Sequence, residues 1–90
     1  MFYYKVGEIE TNIKWGRPSK RKLLKIWEKF KKVNPYSNDY TFYLTGAVAQ
    51  GVPTWDTDIL ILGEENFEKI KLILDDFKTI GFQQGQLIDI

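Results

Sequence analysis

Two aspartates, Asp56 and Asp58, open the apolar run Ile59-Leu60-Ile61-Leu62, and a third, Asp89, stands between Ile88 and Ile90. Aspartate is a poor strand former, so its placement in such runs needs a reason. Side chains alternate along a strand, which puts Asp56 and Asp58 on one side, close enough to share a cation. Two like charges held that near repel, and a divalent ion is what makes the arrangement sensible. Asp89 is costly in an apolar strand unless it finds a partner. If its strand lies beside that of Asp56 and Asp58, three carboxylates converge. Such a set suits two Mg²⁺ ions, one on a triphosphate and one lowering the pKa of an attacking hydroxyl, with Asp89 placed to activate the nucleophile. The plainer reading keeps Asp56 in a turn after Pro53 and Asp58 in solvent at a strand edge.

Upstream, Thr41 to Thr45 reads as a strand that stops at Gly46, and the connection Gly46-Ala47-Val48-Ala49-Gln50-Gly51 carries a second glycine. A backbone of this kind can approach phosphate oxygens and offer them N–H groups, above all if a helix begins near Ala47. Gln50 and Thr54 could meet phosphate or sugar, or simply face water. Trp55 could stack on a base, although a tryptophan beside a strand more often packs against a helix.

The composition narrows the chemistry further. Ninety residues contain no cysteine and no histidine, so disulfides, thiolate sites and imidazole catalysis are excluded. A bound metal would have oxygen ligands, which means Mg²⁺ or Mn²⁺ rather than zinc. No apolar run approaches the roughly 20 residues of a membrane span. The expectation is a cytoplasmic protein with no membrane partner. The net charge is only +1, so long-range attraction to nucleic acid does not follow from it.

The elements that must position these residues can be read from periodicity. Phe2 to Ile9 suggests a strand or an extended arm, dissolving at Glu10-Thr11-Asn12. Ser19 is placed to cap a helix that runs to about Val33, with Leu23, Ile26, Trp27 and Phe30 on its buried stripe. Lys20, Arg21, Lys22, Lys25, Lys29 and Lys32 occupy much of the remainder, either a nucleic-acid face or an ordinary solvated one. Trp55 to Leu62 reads as a strand. Glu64 to Ile80 reads as a second amphipathic helix with Phe67, Ile70, Ile73 or Leu74, Phe77 and Ile80 inward and Gly81 as its left-handed cap. Leu87 to Ile90 closes the chain as a last strand. The order strand, helix, strand, strand, helix, strand predicts one α/β domain over residues 1–90, a two-layer sandwich in which two helices cover a small mixed sheet.

In this order the segments resemble the nucleotidyltransferase superfamily, which includes the minimal and aminoglycoside nucleotidyltransferases, the CCA-adding enzymes and DNA polymerase β. Leu44-Thr45-Gly46-Ala47 looks like its hydrophobic-glycine element, Asp56-Thr57-Asp58 like its Asp-x-Asp strand and Ile88-Asp89-Ile90 like its later carboxylate. The resemblance spans residues from about 41 to 90. It implies a nucleotidyltransferase-like fold that transfers a nucleoside monophosphate from a nucleoside triphosphate to an acceptor hydroxyl, the acceptor being unidentified. Asp56, Asp58 and Asp89 would hold Mg²⁺ or Mn²⁺, and Gly46, Ala47, Gln50 and Gly51 would receive the triphosphate. Relatives often carry a further helical domain for the acceptor, so a second copy of the chain or a separate substrate-binding partner would have to supply one.

The chain departs from the superfamily pattern in two ways. Ala47 stands where Gly or Ser commonly follows the first glycine, removing a hydroxyl. Aligning Gly46 and Gly51 with the glycines of the minimal enzymes puts Asp58 at the first metal-ligand position and Leu60 at the second, whereas a connection shortened by two residues keeps Asp56 and Asp58 as the pair. The shortened loop is preferred because leucine has no donor atom. The alternative function is a catalytically inactive module of this fold that binds nucleotide, nucleic acid or a protein partner.

Overall fold

A computed structural model describes residues 3–9 and 13–90. The elements are β1 (Tyr4–Lys5), α1 (Lys20–Val33), β2 (Thr41–Thr45), α2 (Gly46–Ala49), β3 (Asp56–Leu62), α3 (Phe67–Gln83) and β4 (Leu87–Asp89). The strands form a four-stranded sheet in the order β1-β2-β3-β4, with β1–β2 and β2–β3 antiparallel and β3–β4 parallel. The result is a small α/β domain with a mixed sheet. The parallel pair is joined through α3, as such a pair requires a crossover connection. Among the described residues no helix is long and apolar enough to cross a membrane.

Alternation along the strands divides the sheet into two unlike faces. Phe42 and Leu44 of β2, Thr57 and Ile59 of β3 and Ile88 of β4 are buried. They face a core built with Leu23, Ile26 and Phe30 of α1 and Ile73, Phe77 and Ile80 of α3. Its centre is aromatic. Phe30 and Phe77 stack at 4.0 Å between centroids, and Phe42 meets the edge of Phe30 at 5.5 Å and of Trp27 at 5.2 Å. These contacts fix α1 and α3 to one side of β2. The other face carries Tyr43, Asp56, Asp58, Leu60, Leu62, Leu87 and Asp89, all exposed or half-buried.

Helix α1 begins and ends where its sequence signals it. Ser19 accepts from the backbone N–H of Lys22 at 3.2 Å, and the amide of Asn34 donates to the carbonyl of Phe30 at 2.9 Å. Asn34 is buried, with its side chain donating to Asp76 of α3 and accepting from the Tyr36 amide, both at 2.9 Å. A buried amide paired on both sides ties the two helices together at modest cost.

Helix α3 departs from its expected boundaries. It runs from Phe67 to Gln83, three residues later at each end than the expected Glu64 to Ile80, because Asn66 is the cap and accepts from the Lys69 amide at 3.2 Å. Phe67, expected inward, is 80% exposed on the first turn. Gly81 is inside the helix rather than its left-handed cap. A side chain there would collide with Ile88 of β4, so the glycine permits close helix–strand contact. The left-handed cap is Gly85, at φ +73°. Its N–H donates to Phe82 O and that of Gln86 to Gly81 O, both at 2.9 Å, the paired bonds of a Schellman ending.

Strand β2 has its expected bounds, Thr41 to Thr45, and the other three are shorter than expected. The first is Tyr4–Lys5, extended by a bond from Val6 N to Phe42 O at 2.7 Å, and the expected arm's Phe2 and the following Glu10-Thr11-Asn12 lie outside the described residues. Trp55 precedes β3, and Ile90 follows β4.

Candidate carboxylate site

The three aspartates lie on the same, uncovered face of the sheet. In the parallel pairing of β3 with β4, Asp58 is the register partner of Asp89 and Asp56 that of Leu87. Neighbouring strands lie about 4.7–4.9 Å apart, so Asp58 and Asp89 are lateral neighbours. Asp56, two residues earlier in β3, projects from the same face at the strand's first residue, where its amide donates to Thr54 Oγ1 at 3.1 Å. In the antiparallel direction Asp58 pairs with Thr45, the residue before α2.

Gly46 sets the position of the Asp58 carboxylate. It adopts φ +70°, and a side chain there would collide with Asp58 Oδ2. Glycine is therefore required twice, for its left-handed backbone and for the carboxylate lying against its Cα. Helix α2 begins at Gly46 and turns its buried Val48 and Ala49 into the core, leaving Ala47 exposed. The Ala47 carbonyl accepts from the amides of Gln50 and Val52 at 3.1 and 3.0 Å, which closes the loop tightly.

Asp58 feels its neighbours. Partial burial comes first in lifting its pKa above the ordinary carboxylate value, and the negative charges of Asp89 and Asp56 push it the same way. Asp58 is thus near enough to both other aspartates to feel their charge. The donor set is all oxygen and mutually repulsive, which fits a hard divalent cation. Among the described residues no group of three or more His, Cys, Asp or Glu side chains is arranged to hold a metal ion.

Comparison with models of protein families, with curated proteins and with solved structures finds no match.

The remaining candidates divide. Gln50 is exposed at the end of α2. Gly51 adopts φ +75° where a side chain would collide with the Lys14 carbonyl, so chain packing accounts for it. Leu60 belongs to the carboxylate face, as register partner of Tyr43 and 40% exposed, not to a buried continuation of the strand. Trp55, next to Asp56, is 55% exposed and not packed under a helix.

Periodicity and spacing gave no hint of Arg17, whose guanidinium lies 4.5 Å above the centre of the Trp55 ring. Arg17 reads locally as part of a helix start, and a contact across nearly half the chain leaves no trace in local spacing. Main-chain bonds brace both residues: the Thr54 amide donates to the Arg17 carbonyl, and the Leu87 amide donates to the Trp55 carbonyl.

Proposed function

We propose that this chain is a nucleotidyltransferase-type domain that transfers a nucleoside monophosphate from a nucleoside triphosphate to an acceptor hydroxyl. The observation that carries the reading is the register of Asp58 with Asp89 on the face shared with Asp56, beside the Gly46 start of α2. Among oxygen-only donor sets, this arrangement suits phosphoryl chemistry better than any hydrolysis that depends on imidazole or thiol.

Asp56, Asp58 and Asp89 would hold Mg²⁺ or Mn²⁺, which when bound supplies positive charge against the triphosphate and acidifies the attacking hydroxyl. Asp89, at the exposed edge strand, takes the acceptor's proton. The acceptor oxygen forms a bond to the α-phosphorus as the bond to the bridging oxygen breaks, and pyrophosphate leaves with that electron pair. Gly46 leaves room for the Asp58 carboxylate at the start of α2, and the backbone N–H groups of Gly46 and Ala47 would receive the triphosphate. The nucleotidyltransferase-like fold is part of this proposal, supported by the mixed sheet with both long helices on one side and the carboxylates on the other.

Calorimetric titration with ATP in the presence of Mg²⁺ or Mn²⁺ tests the reading. Metal-dependent binding lost in Asp58→Asn is the expected result, and binding indifferent to metal would overturn it. A second reading, a nucleotide-binding module without turnover, is favoured by Ala47, which brings no hydroxyl to the loop, and by carboxylates that are not grouped to hold a metal ion among the described residues. Release of pyrophosphate on incubation with candidate acceptors separates the two.

A further inference from the structure

We propose that the groove walled by Arg17 and Trp55 is a stacking subsite for the base of a nucleotide whose phosphates reach the neighbouring carboxylates. The groove is lined by Gly16, Arg17, Pro53, Thr54 and Trp55 and has a volume of about 550 Å³. That lies within the range of small-molecule sites, roughly 300–1,000 Å³. Its walls come from two chain segments locked by the Thr54 to Arg17 bond and by the seating of Gly16 on Pro53, where any side chain would collide with the proline ring.

The chemistry of the walls selects the ligand. An indole with a guanidinium over it is a surface for a flat π-system: a third ring can add to the open side of the indole or slide along the guanidinium plane. Trp55 is 55% exposed, so part of the indole stays accessible beyond the guanidinium. Arg17 contributes a guanidinium that can both stack on a flat ring and attract phosphate, so a ligand combining a planar ring with phosphates is matched by the chemistry of this groove. Reach is consistent as well. Trp55 immediately precedes β3, and the three residue steps from Trp55 to Asp58 span about 10 Å of extended chain, so a sugar and phosphates running from the groove to the carboxylates pass around the N-terminal end of the strand.

That the ring is a nucleobase rests on the nucleotidyltransferase reading, whereas the existence of a stacking site does not. The experiment therefore uses two half-ligands on the full chain. Adenosine, without phosphate or metal, is titrated while backbone and indole N–H signals are followed by NMR. Mg²⁺-tripolyphosphate and Mg²⁺-ATP are titrated by calorimetry against the native chain, Trp55→Leu, Trp55→Phe and Arg17→Ala, with thermal melts to establish that these surface variants fold.

The expected result is an adenosine response centred on Trp55 and residues 16–17, absent in Trp55→Leu and retained in part by Trp55→Phe. Mg²⁺-ATP affinity should fall roughly tenfold in Trp55→Leu, the loss of one base stack, while tripolyphosphate affinity stays unchanged. Adenosine shifts that fall elsewhere or are absent, or ATP affinity equal in Trp55→Leu and the native chain, would overturn the proposal. Adenosine binding at Trp55 without any tripolyphosphate binding would sustain the subsite and sink the nucleotidyltransferase reading. Tripolyphosphate binding without adenosine binding would do the reverse.

Discussion

Asp58 and Asp89 stand opposite one another in the parallel pairing of β3 and β4, with Asp56 on the same face two residues away. Like charges directly across a sheet are destabilising, with cross-strand pairs worth about 0.2–1 kcal/mol. A protein that keeps such a pair forgoes that stability unless a cation is bound. Asp58→Asn should therefore raise the Tm of the metal-free protein by about 2–4 °C, taking ~0.5 kcal/mol for a domain of this size. The same substitution should abolish metal-dependent nucleotide binding, an inverse relation between stability and function that a merely structural aspartate would not show.

The pH dependence follows from the direction of the shift. The pKa of Asp58 is higher in the folded protein than in the unfolded chain, so the folded state holds its proton more tightly. Its contribution to stability is full below the unfolded value and is lost as pH rises through the folded one. Thermal melts of the native chain without divalent metal should lose stability across that interval relative to Asp58→Asn. Saturating Mg²⁺ should remove the difference by stabilising the ionised form.

Gly46 and Gly85 offer a controlled comparison, because both adopt left-handed backbone but only Gly46 has a neighbour in the way of a side chain. Gly85→Ala should cost roughly 1–2 kcal/mol, the conformational penalty alone. Gly46→Ala should cost the same and also displace the Asp58 carboxylate, so it should weaken Mg²⁺ binding while Gly85→Ala leaves it intact.

How much of this could be read in advance depended on whether the deciding contact was local. The stripe Leu23-Ile26-Phe30 and the cap at Ser19 are local, and α1 matches its expected span. Glu64 reads as helical by composition, but Asn66, with a side chain able to hold the Lys69 amide, sets the start three residues later. Gly81 looks like a helix terminator until Ile88, brought back by the crossover, supplies a reason for glycine inside the helix. The run Ile59-Leu60-Ile61-Leu62 has no polar alternation, which hides that one face of β3 is uncovered and that Leu60 lies on it. That Asp56, Asp58 and Asp89 share one sheet face was legible because aspartate in apolar strands is conspicuous. The Arg17–Trp55 stack was not, since its members lie on different segments.

Thr57 is fully buried between the two site aspartates in sequence, and its hydroxyl has no hydrogen-bond partner among the described residues. An unpaired buried polar group costs about 1–3 kcal/mol. Thr57→Val keeps the branched shape and removes the hydroxyl, so chemical denaturation should find it more stable by about 1 kcal/mol. Its backbone and the register of Asp56 and Asp58 should be unchanged, leaving Mg²⁺-ATP affinity as in the native chain.

Leu60→Asp decides which carboxylates form the ligand pair. Leu60 is 40% exposed on the open face, two residues beyond Asp58, so an aspartate there is solvated and need not damage the core. It would stand beside Tyr43 rather than beside Asp89, and would continue the row of carboxylates along β3. If Asp58 and position 60 form the natural pair, Leu60→Asp supplies a missing ligand, and calorimetry should show Mn²⁺ affinity rising by an order of magnitude or more. Asp56→Asn should then leave affinity unchanged in either background. The shortened-loop register gives the opposite pattern: Asp56→Asn removes a ligand and weakens Mn²⁺ binding strongly, while Leu60→Asp adds only a nearby charge and changes affinity little. Because Asp58 participates under both registers, the four combinations of these two substitutions form a double-mutant cycle in which the larger single effect identifies the second ligand.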